Sequence, residues 1–479
     1  MKGSRRFGMA VAVGVLATVG LTSVTSVTSA SGASAGGSAA SGSASAAALP
    51  GRGACGPTPA TSWFPLPAAF FVGDPVALYP TRDGAYNSRG SANVAYKITG
   101  QFPHSTTMSF TTYNNIWAIP SPAYAIEDRD IIPDRGSVNP FVPGTQVMAP
   151  NRNYTVYIWP DSVAVPAGLH NVIKYPTKAF DPRDRLARWF LVMRMYKTQP
   201  GYRAVAASPK LTAVSALNPS QQVRCPLNPL AGTIKRQVGG VIRKIQVTGP
   251  ITPAPESATG DKIYFTRYPA KLMIGPEGYP ADGCVTYLMG MVPPDKISVV
   301  TQHQLPQHFN NALVTPSTIM KDFQVRWSSQ TIAYWPETPR ITVNQYNSVL
   351  RPDGSWSTIY LPPQPRLTRS QLAVVRALAR ERGYNVLQLP PNPKNRPLAR
   401  LLPWPAIVFR QKAISQSFTN KSVLGVPCWA QNNPAETYSA QNSPAFFAKY
   451  ASNRGNMGNY YIDGTAVNFG GLMSLLSKK

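Results

Sequence analysis

Carboxylates crowd into one short stretch of this chain. Glu127, Asp128, Asp130 and Asp134 are followed closely by Gly136 and Asn139. Oxygen donors this near to one another suit a hard cation such as Ca²⁺. A pair of them also suits general acid and base work, as in glycoside hydrolysis. The alternating acids of a calcium loop, closed by Glu, are absent. The competing reading is a turn centred on Pro133-Asp134-Arg135-Gly136, with nearby arginines neutralising the acids. His104 is the lone candidate for a base. With Asp130 and Asp134 it makes the catalytic set of a secreted hydrolase. His303 and His308 are five apart across Pro306, a spacing that does not bring both rings to one face. There is no H-E-x-x-H, Walker loop or dinucleotide fingerprint, so neither a metal nor a cofactor is expected. Gly32-Ala33-Ser34-Ala35-Gly36 matches the serine-hydrolase elbow. It lacks the strand before and the helix after that the elbow requires.

Cations show more pattern than acids. The formal net charge is +27. Between Arg366 and Lys412 basic residues recur with Glu381 as their only acidic counterweight. Arg369, Arg376 and Arg380 fall within about 40° of one another on a helix of 100° per residue. A second set, Lys235, Arg236, Arg243 and Lys244, brackets Gly239-Gly240. If that pair forms a two-residue hairpin, Arg236 faces Arg243 and Lys235 faces Lys244. Like charges opposed across strands are destabilising unless an anion binds there or the edge is exposed. Both sets are candidate polyanion contacts, with solvated surface as the alternative. Neither carries the interleaved aromatics of a single-strand nucleic-acid platform.

The elements that must position these residues are mainly strands. The 48 prolines are spread along the chain and break helix interiors. Short β-branched and aromatic runs lie between turn residues. Ala92–Thr99, Thr106–Tyr113 and Tyr154–Trp159 are examples, the first two joined by a hairpin connection through Gly100–His104. Three segments read as helical. Arg183–Tyr196 is bulky, apolar and free of proline. Arg369–Arg382 lies between the N-cap Thr368 and the stop Gly383, with Leu372, Val375 and Leu378 on one face. Pro444–Ser452 follows the N-cap Ser443.

Four short motifs recur in the same order. Gly100-x-Phe102-Pro103, Met108-Ser109, Trp159-Pro160-Asp161 and Leu191-Val192-Met193-Arg194 answer to Gly290-x-Val292-Pro293, Ile297-Ser298, Trp335-Pro336-Glu337 and Ile407-Val408-Phe409-Arg410. The order matches and the spacings differ. Either two related β modules arose by internal duplication, or common residue types coincide. The fold expected is mainly β with a few short helices, in two sandwich-like modules.

The N-terminus sets the compartment. Lys2, Arg5 and Arg6 precede the apolar run Phe7–Leu21, and small residues lead to Ala33-Ser34-Ala35. This is the layout of a secretory signal peptide over 1–35, too short in its apolar part to span a bilayer. Its removal lowers the net charge by three, to +24. A Gly/Ala/Ser tether follows over 36–50. The expected modules are 51–225 and 263–479, joined by a basic Pro/Gly-rich connector, 226–262. In an oxidising compartment, Cys55, Cys225, Cys284 and Cys428 favour two disulfides. Of the three pairings, Cys55 with Cys225 and Cys284 with Cys428 would each close one half of the chain.

A family resemblance adds to this. Asp83-Gly84-Ala85-Tyr86, Tyr96–His104, Met108-Ser109-Phe110 and the Asp130 to Phe141 segment are similar to a group of exported bacterial proteins of unknown function. Leu402-Pro403-Trp404, Arg410 and Met457–Tyr461 extend the likeness. More distantly the chain resembles paired envelope domains of unknown function, whose modules open on Asp-x-x-Tyr and close on an apolar-Arg strand. The resemblance implies an exported, sandwich-rich protein and no defined activity. The expected function is therefore a secreted, basic protein of the cell envelope or extracellular space, with no membrane anchor after processing. It would bind an apolar ligand or a polyanion: a wall polymer, an acidic polysaccharide or free nucleic acid. The alternative is the hydrolase built on His104, Asp130 and Asp134.

Overall fold

The computed structural model describes residues 64–65, 77–78, 80–87, 93–114, 123–175, 177, 186–196, 209–223, 262–263, 265, 267, 287–293, 295–308, 317–334, 339–363, 367–389, 405–426 and 455–478. The expected export signal and tether, the four cysteines, the Lys235–Lys244 set and the helix expected at 444–452 lie outside them. The first strands are β1 (Phe64–Pro65), β2 (Ala77–Leu78), β3 (Pro80–Asn87), β4 (Val94–Gln101) and β5 (Thr107–Asn114). Then come β6 (Ala123–Glu127), β7 (Asn153–Pro160), β8 (Val172–Tyr175), β9 (Leu186–Tyr196) and β10 (Lys210–Ser215). The second half has β11 (Lys262–Ile263), β12 (Tyr287–Met291), β13 (Ile297–Gln302), β14 (Val325–Tyr334) and β15 (Pro339–Asn344). It ends with β16 (Trp356–Leu361), helix α1 (Arg369–Glu381), β17 (Tyr384–Gln388), β18 (Pro405–Ile414), β19 (Ile462–Val467) and helix α2 (Phe469–Ser477).

The chain is mainly β, and its strand order is repeated. Take β3–β10 and β12–β19 each as strands one to eight. Both modules then have one sheet in the order 1-7-3-4 and another in the order 8-2-5-6. In both, the pair 5–6 is parallel. The two sheets of each module pack face to face over a common interior, the arrangement of a β-sandwich.

The repeat extends to single residues. Arg194 on β9 donates to Thr111 Oγ1 on β5 at 2.6 Å. Arg410 on β18 donates to Thr331 Oγ1 on β14 at 3.0 Å. Arg194 pairs in register with Ser109, and Arg410 with Ser329. Each parallel sixth strand begins after a residue with positive φ, Asn171 at 56° and Gly383 at 72°. Of the four sequence echoes, only the apolar-Arg strand is structurally equivalent. Phe102-Pro103 follows strand two and Val292-Pro293 strand one; Met108-Ser109 lies in strand three and Ile297-Ser298 in strand two. Trp159 ends strand five, whereas Trp335 comes just after strand three. Those three matches are corrected: shared residue types at strand ends misaligned the copies.

Two further expectations change. Arg183–Tyr196 is not a helix but contains β9, a central strand between β3 and β5. Leu191 to Tyr196 are all buried. A strand covered on both faces loses polar/apolar alternation, so its sequence cannot be told from a buried helix by pattern. The Gly100–His104 segment is not a hairpin connection, because β4 and β5 belong to different sheets. Phe102 is buried at this crossing, and its N–H bonds Arg152 O at 2.8 Å.

The modules lie in one compact unit, Pro50–Lys479, and meet reciprocally. Arg326, at the head of β14, forms a buried ion pair with Asp128, just past β6. Thr106, just before β5, meets the Tyr346 hydroxyl, just past β15, at 3.2 Å. The start of strand three in each copy thus touches the end of strand four in the other, as in a twofold interface. Tyr196 and Trp327 pack against each other between the copies with ring centres 5.3 Å apart and planes tilted by 50°. Gly144 N–H to Met320 O and Met320 N–H to Thr145 O, both 2.8 Å, add a backbone ladder.

Candidate functional site

Helix α1 is the point at which the second module departs most from the first. Strands five and six are parallel in both copies and need a crossover. In the first module residues 161–171 make it without a helix; in the second, α1 does. A capping box starts the helix. Thr368 Oγ1 accepts from Gln371 N at 3.2 Å, and Thr368 N donates to Gln371 Oε1 at 2.9 Å. Gly383 ends it, and a Cβ there would meet Leu350 O at 2.4 Å. Val375 and Ala379 are buried against Ile359 and Leu361 of β16, with Leu372 and Leu378 beside them and Leu472 and Leu476 of α2 in the same cluster.

Arg369, Arg376 and Arg380 stand exposed on the opposite face. Eleven residues of helix place the outer two about 16 Å apart along the axis. None of the three forms an ion pair among the described residues; Glu381, the acid on α1, pairs with Arg382 at 3.7 Å. Arg380 lies in the last turn, where a cation suits the helix dipole, but Arg369 opens the first turn, where it opposes the dipole. The first turn carries no acidic residue. Arg369 therefore does not serve helix stability.

Other arginines do serve the framework. Arg194, Arg267, Arg326 and Arg410 are buried. Arg267 donates to Leu424 O and Val426 O at 3.3 and 3.2 Å. Arg326 lies over the Phe141 and Phe323 rings, 4.8 and 5.1 Å from their centres.

The acidic segment divides among separate tasks. Asp128 is fully buried at the module joint, accepting from Met108 N at 2.6 Å and Arg129 N at 2.7 Å as well as pairing with Arg326. Burial pushes its carboxyl up, and Arg326 opposes that shift. Arg129 lies 3.7 Å from Glu127 and 3.8 Å from Asp130, and also donates to Ile414 O of the second module. Asp134 closes a turn: its carbonyl accepts from Ser137 N at 2.9 Å, and its Oδ2 accepts from Thr155 Oγ1 at 3.2 Å. Asn139 binds the carbonyls of Asp128 and Ile131 at 2.6 and 2.8 Å. These are the contacts of a turn with its acids neutralised by arginine. Among the described residues no group of three His, Cys, Asp or Glu could hold a metal.

His104 is buried at the sheet crossing. Burial first, and the Arg152 cation second, push its pKa down to about 4. An imidazole that reluctant to take a proton is a weak general base near neutrality. His104 thus sits at the sheet crossing, Asp130 beside Arg129 and Asp134 in the turn. His303 faces Asp463 at 3.4 Å. His308 contacts Ser328 Oγ at 2.8 Å and is pushed by burial to about 4.

Sequence reasoning missed Arg326 as the partner of Asp128, since 198 residues separate them. It also missed Gln302, Gln330 and Gln411, buried in the second interior. Amides carry no titration signal, and only strand register brings these together.

No protein-family model matches the chain, and neither does any curated protein. A crystal structure of an uncharacterized protein from Burkholderia cenocepacia is similar at a TM-score of 0.43 and 14% identity, covering 76% of this chain and 81% of that one.

Proposed function

We propose that this is an exported envelope or extracellular protein that binds an anionic polymer along α1. The observation that carries the reading is the row of Arg369, Arg376 and Arg380, exposed and without carboxylate partners among the described residues. It stands on a crossover helix that only one of two duplicate modules possesses. The formal charge of +27 supports it by drawing polyanions over long range. The signal-like N-terminus and the resemblance to exported proteins restrict the partner to polymers outside the cytoplasm. No helix among the described residues is long and apolar enough to cross a membrane.

The test is binding of a purified anionic wall polymer, with heparin as a second probe, across a series of salt concentrations. Affinity should fall steeply with salt, because counterions are released as arginines engage the polymer. Arg369→Gln, Arg376→Gln and Arg380→Gln together should weaken binding at least tenfold at low salt and flatten the salt slope. Unchanged affinity and slope in that variant would reject α1 as the contact.

A further inference from the structure

The duplication supplies an internal control that a single module lacks. Residues that face the interior can be matched copy to copy through the strand registers. From Ser109 and Ser329, Phe110 matches Gln330. From Arg194 and Arg410, Met195 matches Gln411. From the parallel pairs, Ile158 matches Thr358, and through it Ile98 matches Gln302. The four residues of the first module belong to its apolar core. Their four counterparts are polar, and all are at most 1% exposed.

Each glutamine is held at one end and bare at the other. Gln302 donates Nε2 to Tyr460 O at 2.9 Å, leaving Oε1 buried without a partner. Gln411 accepts from Val423 N through Oε1 at 2.9 Å, leaving Nε2 buried without one. These orientations are fixed by chemistry, because a carbonyl can only accept and an amide N–H can only donate. Gln330 takes the Tyr360 hydroxyl at 3.0 Å and likewise leaves Nε2 bare. Trp356, directly opposite Gln302 across strands β13 and β16, has a buried indole N–H with no partner.

Gln302, Trp356 and Gln411 are held at one end of the sandwich, and Gln330 lies deeper, meeting Tyr360 four residues along β16 from Trp356. Gln302 and Trp356 face each other on one sheet; Gln411 and Gln330 lie on adjacent strands of the other. The anchors Val423 and Tyr460 belong to short 3-10 turns, Val423–Gly425 and Gly455–Tyr460. A third turn, Gln416–Lys421, joins them through Phe418, whose ring stands edge-on to Tyr460 at 4.9 Å. The turns cap this end. A buried polar atom without a partner costs about 1–3 kcal/mol, yet five remain where the sister module is apolar, the Thr358 hydroxyl being the fifth.

We propose that the capped end of the second sandwich is a binding site for a small uncharged ligand bearing hydroxyl or amide groups. Three free N–H donors, one free carbonyl acceptor and the Thr358 hydroxyl match groups that both give and accept hydrogen bonds. Arg267 does not call for an anion, since its guanidinium is engaged by the carbonyls of Leu424 and Val426. The site is independent of the arginine row on α1.

The test is calorimetric titration of the full chain with N-acetylglucosamine, glucose and glycerol as probes. The variants Gln302→Ile and Gln411→Met place the first module's own residues at these positions, so the fold has a precedent for them. Binding of at least one probe by the wild type is expected, weakened at least tenfold in Gln411→Met and further in the double variant. The Arg369/Arg376/Arg380 triple variant should bind the probe as the wild type does. Should the double variant fail to fold, Gln330→Met, which removes a bare amide of the same interior, supplies a second comparison. If none of the three probes binds the wild type, the site holds buried water only and the proposal falls. It also falls if the glutamine variants bind as well as the wild type.

Discussion

At four matched interior positions the first module has Ile98, Phe110, Ile158 and Met195, and the second has Gln302, Gln330, Thr358 and Gln411. On the outer face of the 8-2-5-6 sheet the contrast repeats. Trp159 and Val214 of the first module are covered by a loop bearing Val163, Val165 and Leu169. The second module covers Ile359 and Leu361 with α1 and α2. The strand order is common, so topology does not require either departure. One copy keeps an apolar interior and a crossover without a helix. The other carries the helix, the arginine row and the polar end. Function is to be sought where the copies differ.

The sharpest break in the comparison is at the joint, where equivalent positions hold unequal chemistry. Asp128 accepts from Met108 N, and Gln345, its counterpart, accepts from Ser328 N at 2.6 Å. Only Asp128 also meets a buried cation. Asp128→Ala would leave Arg326 buried and uncompensated, a loss of about 3–5 kcal/mol. Gln345→Ala removes two neutral hydrogen bonds, from Ser328 N and to Arg326 O, and should cost about 1–3 kcal/mol. Urea unfolding followed by circular dichroism measures both. Equal losses would mean that the ion pair contributes no more than the neutral bond from Gln345 to Arg326 O.

The left-handed residue before strand six is filled in two ways. Gly383 has φ 72° and no room for a Cβ against the Leu350 carbonyl. Asn171 uses its side chain instead, bonding Ile132 N at 2.8 Å and the carbonyls of Ile132 and Thr155 at 2.7 and 2.8 Å. Gly383→Ala should cost about 3 kcal/mol from strain and backbone collision. Asn171→Gly keeps the backbone free and loses only side-chain bonds, about 1–2 kcal/mol. The same unfolding assay ranks them, and the reverse order would refute this account of the two turns.

These positions also show what the sequence could and could not disclose. Gly383 and Thr368 announce the ends of α1 because capping is local chemistry, written in adjacent residues. The β-rich class was legible from strand-length runs between turn residues, and the exposed arginine row from helical spacing. The strand β9 was not, because burial on both faces erased its alternation. The duplication was visible in outline and misregistered, since only Leu191–Arg194 and Ile407–Arg410 sit at the same place in the fold. The glutamines became significant only through cross-strand register, which no local pattern encodes.

Each module holds a histidine that desolvation keeps from taking a proton, His104 buried and His308 half-buried, so acid should weaken both. His104 and His308 are each held near 4, below the ordinary 6.5. A group whose pKa is lowered by folding contributes stability that is full above about 6.5 and lost as pH falls toward 4. Each should forfeit on the order of 2 kcal/mol across that window. His104→Gln and His308→Gln should each flatten part of the stability profile between pH 6.5 and 4. A profile unmoved by either substitution would show that acid sensitivity arises elsewhere.

The smallest effect separates helix order from charge. Thr368→Ala removes the N-cap oxygen that Gln371 N uses, and such caps are worth about 1 kcal/mol. No arginine is altered, so the attraction that draws a polymer to α1 stays the same. The first turn, which carries Arg369, should fray, spoiling the alignment of that arginine with Arg376 and Arg380. Polymer affinity should then fall by about twofold to fivefold, the range expected when roughly 1 kcal/mol of order must be restored on binding. Thr368→Ser should retain wild-type affinity. If Thr368→Ala binds the polymer as tightly as the wild type while unfolding more readily, the arginines act as a diffuse charge, and their row along the helix is not what the polymer reads.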